Sequence, residues 1–195
     1  MMEQESLVLG ITLVILAIII CRVCCPWMFS ELIEITADDG HKYLVMNLKD
    51  KKEAANKLAD IKGKLLRLID DFQYELLSKE SKEDIQRMKH KFKAILSENA
   101  PGGRYTSYTV NKGEHIYMCI REREDNNTLI DDNILMFVAL HELAHVMTKS
   151  IGHQRDFKEN FRMLLKLAQK RGYYKYHPYH IKPQKYCGTR ITTLP

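Results

Sequence analysis

A chain of 195 residues suits one compact domain plus an appendage, and its 45% hydrophobic and 28% charged residues argue against a disordered chain. The net charge of +5 is compatible with nucleic acid or an anionic membrane surface, but such a balance is common in proteins that bind neither. Five cysteines, three of them grouped as Cys21, Cys24 and Cys25, do not make the even, spaced set of a small secreted domain, so reduced thiols and a cytosol-like compartment are expected.

Residues 7–21 carry no formal charge and are rich in Leu, Ile and Val, with Thr12 the polar exception. Arg22 follows, and the apolar character resumes over 23–29. A membrane span needs ~20 residues; with Arg22 snorkelling and Trp27 at the interface, residues 7–28 reach that length. A cleaved signal peptide would start basic and end at small residues, whereas this start is acidic and Cys24-Cys25-Pro26-Trp27 is a poor cleavage site. The expectation is an uncleaved anchor over residues 1–29, a single-pass membrane protein whose soluble domain is cytosolic. Acylation of Cys21, Cys24 or Cys25 is left open.

Residues 31–37 alternate loosely, Asp38-Asp39-Gly40 is a turn signal, and 43–48 is again strand-like, which predicts a β-hairpin. Leu58, Ile61, Leu65, Leu68, Phe72 and Leu76 recur at helical steps within 51–77. Ser81 begins a second helix carrying Ile85, Met88, Phe92 and Ile95 on one face. The two form a helical hairpin able to dock on the domain. After a break at 99–103, residues 105–110 and 115–120 flank the turn Asn111-Lys112-Gly113 as a second hairpin. The strand 115–120 is the candidate to pair with an extended substrate.

A helix is predicted over 133–149, capped by Asp131, Asp132 or Asn133 and stopped by Gly152. It is apolar nearly all round, so it should be central and buried. A last helix occupies 156–171, and the tyrosine-rich tail, with Pro178 and Pro183, is expected to be irregular but packed.

On the buried helix lie His141-Glu142-Leu143-Ala144-His145. Histidines one turn apart leave the same face and can grip one metal ion, with zinc the expected cofactor. Glu142 projects about 100° further round, where it suits a general base toward water that the metal acidifies. A catalytic zinc takes three protein ligands. His153, just past Gly152, is the first candidate for the third, and Glu159 is the second. Tyr176, His177 and His180 are candidates for stabilising an oxyanion.

The pattern His141-Glu-Leu-Ala-His145, then Gly152-His153-x-x-x-Phe157, resembles the WLM and SprT-like metallopeptidases, and among them small WLM-like proteins of large DNA viruses and protists. Blocks such as 39–43, 107–114, 136–140 and 185–188 extend the resemblance over about 39–195. It implies zinc peptidase chemistry, with His141, His145 and His153 as ligands and Glu142 as base. The chain lacks recognisable DNA-binding or modifier-binding appendages of the better-known members.

The fold expected is α+β: a zincin-like metallopeptidase domain with a small antiparallel sheet and a central active-site helix, preceded by a helical hairpin and one N-terminal transmembrane helix. The expected divisions are 1–29, anchor; 30–98, β-hairpin plus helical hairpin; and 99–195, metallopeptidase core. The function expected is membrane-anchored hydrolysis of a protein or peptide substrate. The alternatives are a catalytically silent, zinc-stabilised scaffold and a helical interaction protein whose histidines are incidental.

Overall fold

The computed structural model describes residues 2–24, 32–72, 78–100, 102, 105–124 and 126–195, and in the first helix the side chains of Val8 and residues 10–20. Helix α1 (Met2–Cys24) carries the apolar run, and Val8, Ile11, Val14 and Ile18 are exposed on it. Among the described residues no helix is long and apolar enough to cross a membrane. This overturns the expected transmembrane helix and the single-pass localisation. The uncharged run of about 15 residues spans ~22 Å at 1.5 Å per residue, short of the ~30 Å hydrocarbon core. The expected extension past Arg22 to 28 runs beyond Cys24, and residues 25–28 lie outside those described. The side chains of Cys21, Arg22, Cys24, Cys25 and Trp27 lie outside those described.

Strands β1 (Leu32–Thr36) and β2 (Lys42–Met46) form the first hairpin, antiparallel, with Ile33 opposite Val45. Gly40 turns at φ +79°, and Asp39 accepts from the Tyr43 hydroxyl at 2.6 Å and the His41 backbone N–H at 2.9 Å. Helix α2 (Lys51–Asp70) buries Leu58, Ile61, Leu65 and Leu68, as its period requires; residues 73–77 lie outside those described. Helix α3 (Lys79–Lys91) starts earlier than expected because Ser78, not Ser81, is its cap and accepts from the Ser81 N–H. It stops where Phe92 turns extended, so Ile95 is 49% exposed rather than on a buried helical face.

The stretch after α3 becomes a strand that the sequence pattern does not reveal. β3 (Leu96–Glu98), β4 (Tyr108–Val110) and β5 (His115–Met118) form one sheet in the order β3-β5-β4. β4 is antiparallel to β5, but β3 is parallel to it, so the sheet is mixed rather than antiparallel. The strand expected to receive substrate is therefore central, with both edges paired, and β4 is an outer strand. β3 can be buried despite its polar residues because each finds a partner. Ser97 meets His115 at 2.9 Å, while Glu98 accepts from the Met46 N–H at 2.7 Å and from Arg121 Nε at 2.9 Å. Arg121, also buried, reaches Asp50 at 2.6 Å and so joins the entrance of α2 to the sheet. Burial raises the Glu98 carboxyl above its ordinary range, against the pull of the Met46 N–H and Arg121.

Helix α4 (Asp132–Met147) is the centre of the core, touching α2, α3 and α5 (Arg155–Lys170). Leu135, Leu140, Leu143 and Ala144 are fully buried on it. The tail is packed as expected, with Tyr174, Tyr179 and Tyr186 buried, but part of it is regular. β6 (Gln184–Tyr186) and β7 (Thr189–Ile191) pair across Cys187-Gly188, both left-handed at φ 52° and 75°, the two-residue turn that suits a hairpin. Cys187 forms a disulfide with Cys119, immediately after β5, which overturns the expected reduced thiols for this pair. Two cysteines 68 residues apart in sequence meet only because the tail folds back onto the sheet.

Candidate metal centre

Helix α4 starts on a firm cap: Asp131 Oδ1 accepts from the N–H groups of Asn133 at 2.8 Å and Ile134 at 3.3 Å. It ends at Met147, where Thr148 takes extended backbone, so Gly152 does not supply the stop. Gly152, at φ +80°, instead bends the chain just before His153. That bend returns His153 to the face from which His141 and His145 project.

The three imidazoles converge through one nitrogen each. Nε2 of His145 lies 3.2 Å from Nε2 of His141 and 3.1 Å from Nε2 of His153; the third separation is 3.0 Å. Three ring nitrogens so close cannot all be matched as donor and acceptor, and three lone pairs pointing together repel unless a cation lies between them. Zn–N bonds of ≈ 2.0–2.1 Å at tetrahedral angles place neighbouring nitrogens about 3.3 Å apart, so the donor set and its spacing fit zinc. Among the described residues this is the group of three that could hold a metal ion. Glu159, the other candidate ligand, is turned away and paired with Arg155 at 2.8 Å.

The surroundings keep the His141 and His145 rings neutral. Burial, with the charges of His145 and His153, pushes His141 down to about 3. Burial, then His153 and Lys112, pushes His145 down to about 4. Phe157 on α5 packs against all three rings, with centroids at 5.0, 4.3 and 4.7 Å.

The segment between His145 and His153 is held from both sides. The Lys112 ammonium donates to the carbonyls of Thr148, Lys149 and Ser150 at 2.9, 2.7 and 2.9 Å. One side chain thus satisfies three successive carbonyls, that of the C-cap Thr148 and those of the two residues after it. From the other side Ser150 Oγ donates to Asp156 at 2.6 Å, and that bond holds the Asp156 carboxyl below its ordinary range. Lys112 is positioned by the turn before β5, in which Gly113 sits at φ +119° against Val146 and the Lys91 carbonyl.

Glu142 is buried beside the histidines and accepts a bond from the Thr109 hydroxyl of β4 at 2.9 Å. Burial pushes its carboxyl up to about 7, and the Thr109 bond acts against that rise. His141, Glu142 and His153 line a cavity of ≈ 500 Å³ whose far wall is the β6–β7 hairpin and the residues after it. The same three, with His145, line a second cavity of ≈ 920 Å³ bounded by Tyr105, Tyr108 and Ile151. Tyr176, His177 and His180 are absent from both linings, and His177 is engaged with the Lys182 carbonyl at 2.7 Å. Tyr186 and Ser107, not singled out from sequence, line the first cavity. A tyrosine next to Cys187 was the one legible hint.

No protein-family model matches the chain. It is 40% identical over 166 residues, 83% of each chain, to the uncharacterised protein R325 of Acanthamoeba polyphaga mimivirus. It is 47% identical to protein 042R of Invertebrate iridescent virus 3 over 68 residues, 35% of this chain and 42% of that one. Among solved structures it is similar to Wss1 from Saccharomyces cerevisiae, with a TM-score of 0.47 and 22% identity, over 64% of this chain and 85% of that one.

Proposed function

We propose that this chain, which belongs to one family with mimivirus protein R325, is a zinc-dependent metallopeptidase of the WLM and SprT-like kind, acting on a protein or peptide substrate. The observation that carries the reading is the meeting of three imidazole nitrogens within 3.2 Å beside a buried glutamate, on the wall of an open cavity. His141, His145 and His153 would hold the metal, and three histidines match the donor set of catalytic rather than four-ligand structural zinc. Bound there, zinc would acidify a water and polarise the substrate carbonyl.

Glu142 is the general base. It takes a proton from the water as the water oxygen bonds to the scissile carbonyl carbon, and gives that proton to the amide nitrogen as the C–N bond breaks. Thr109 holds its carboxylate through Oε2, leaving Oε1 for the water. Neutral His141 and His145, backed by the Phe157 ring, favour cation binding over protonation. The outer strand β4 runs beside this site and offers backbone to an extended substrate.

The test is zinc content and cleavage of a fluorescently labelled unfolded protein by the full chain. Wild type should hold about one zinc and cleave, and Glu142→Gln should keep zinc and lose cleavage by 10²-fold or more. Unchanged cleavage in Glu142→Gln would remove that residue from the chemistry. Zinc without cleavage in wild type would favour the silent scaffold.

A further inference from the structure

Hydrolysis of an amide develops negative charge on the carbonyl oxygen, and a hydrogen-bond donor aimed at that oxygen is worth more in a water-poor cleft than in solvent. Six hydroxyl-bearing residues line the first cavity, Thr106, Ser107, Tyr186, Thr189, Thr192 and Thr193; of these Tyr186 is the buried one, and its hydroxyl is paired with that of Ser107. The two paired oxygens lie 2.5 Å from one another. The Cys119 backbone N–H donates to Ser107 Oγ at 3.1 Å, which occupies one of the serine's acceptor positions. The pair has two hydroxyl hydrogens; one closes the bond between them, and the other has no acceptor among the described residues. Tyr186 is buried, 3% exposed, and burial raises its phenol above the ordinary value, so it remains a donor at neutral pH. Its hydroxyl also feels the Glu142 carboxylate, which places the two groups in one electrostatic neighbourhood.

We infer that the Tyr186 hydroxyl, oriented by Ser107, donates a hydrogen bond to the substrate carbonyl oxygen as that oxygen gains charge. The donor chain runs from the Cys119 N–H to Ser107 Oγ, from Ser107 to the tyrosine oxygen, and from Tyr186 to the substrate. Each bond polarises the next. No proton changes owner: the hydrogen stays on Tyr186 throughout. The inference rests on the peptidase reading above and deepens it. Tyr186 is then a catalytic residue and Ser107 a positioning residue.

The experiment compares wild type, Tyr186→Phe, Ser107→Ala and Glu142→Gln, each checked for melting temperature and zinc content. Two quantities are read: kcat and KM on the labelled peptide, and affinity for a phosphinic peptide, whose anionic tetrahedral group resembles the attacked carbonyl. Tyr186→Phe should lower kcat about 10²-fold with KM little changed, and weaken the phosphinic peptide by a similar factor. Ser107→Ala should lose about tenfold in both, and Ser107→Thr should restore most of it. Full kcat and full phosphinate affinity in a folded, zinc-loaded Tyr186→Phe would overturn the inference while leaving the peptidase reading intact. Failure of wild type to bind the phosphinic peptide would also overturn it. Phosphinate binding that depends on Tyr186, in a protein that cleaves nothing, would sustain the donor and defeat the peptidase reading.

Discussion

Gly113→Ala should remove about 3–5 kcal/mol of folding stability from a chain whose domain has on the order of 5–15 to lose. Two costs combine. At φ +119° an alanine is held in a region that essentially only glycine occupies, worth about 1–3 kcal/mol. Its Cβ would lie 2.7 Å from Val146 Cγ1, 2.8 Å from the Lys91 carbonyl oxygen and 2.9 Å from the Lys91 carbonyl carbon. Neither neighbour yields readily. The Lys91 contacts are backbone at the end of α3, and Val146 is fully buried on α4 beside His145. Overpacking of that kind adds about 1–3 kcal/mol. Equilibrium urea unfolding of zinc-free protein measures the loss. A double-mutant cycle with Val146→Ala should recover about 1 kcal/mol, because it removes one of the colliding atoms. A loss below about 1 kcal/mol, or no coupling to Val146, would show that the turn relaxes freely and refute the reasoning.

Lys112→Met leaves three carbonyls without their shared donor, so the segment carrying His153 loosens; zinc competition titration should show affinity reduced about 10-fold or more. Arg121→Ala strands the buried Glu98 carboxylate and should cost about 3–5 kcal/mol by urea unfolding, whereas Glu98→Gln with Arg121→Met should cost less. Reducing the Cys119–Cys187 disulfide frees a 68-residue separation and should lower stability by about 4 kcal/mol on loop entropy, read as a drop in the unfolding midpoint. Zinc-free protein should lose stability as pH falls from 6.5 toward 3, because folded His141, with its value near 3, binds fewer protons than the unfolded chain over that window. Glu142, raised to about 7, binds more protons when folded between pH 4.5 and 7, and so opposes that loss. Glu142→Gln should therefore melt more steeply with falling pH between 6.5 and 4.5 than wild type does.

The parts of the site that sequence made legible are those set by short-range geometry. His141, Glu142 and His145 are ordered by helical spacing alone, and an apolar surround on every side of a helix means a central position. His153 is legible because it lies eight residues beyond His145, directly after the Gly152 bend, which leaves the chain little room to go elsewhere. The missing pieces depend on pairing between distant residues. β3 has no alternation to betray it, since Ser97 and Glu98 are buried through His115 and Arg121 rather than through apolar contacts. The β6–β7 hairpin turns on Cys187-Gly188, and cysteine is not a residue that marks a left-handed turn. Thr109, Ser107 and Tyr186 carry no local pattern, and they matter only because the sheet and tail meet α4. The expected anchor fails on length: the uncharged run ends at Arg22, and among the described residues no helix is long and apolar enough to cross a membrane.

The Cys119–Cys187 bond also makes a covalent ring, and the ring encloses the whole candidate centre. α4, α5, Glu142 and the three histidines all lie on the arc between its two ends. So does the segment after α4, where Ile151 is 86% exposed and open to attack by a peptidase. A cut there would open the arc without parting it. The nicked protein would migrate as one piece until a reductant was added, and His153 would stay tethered to the half that carries Cys187.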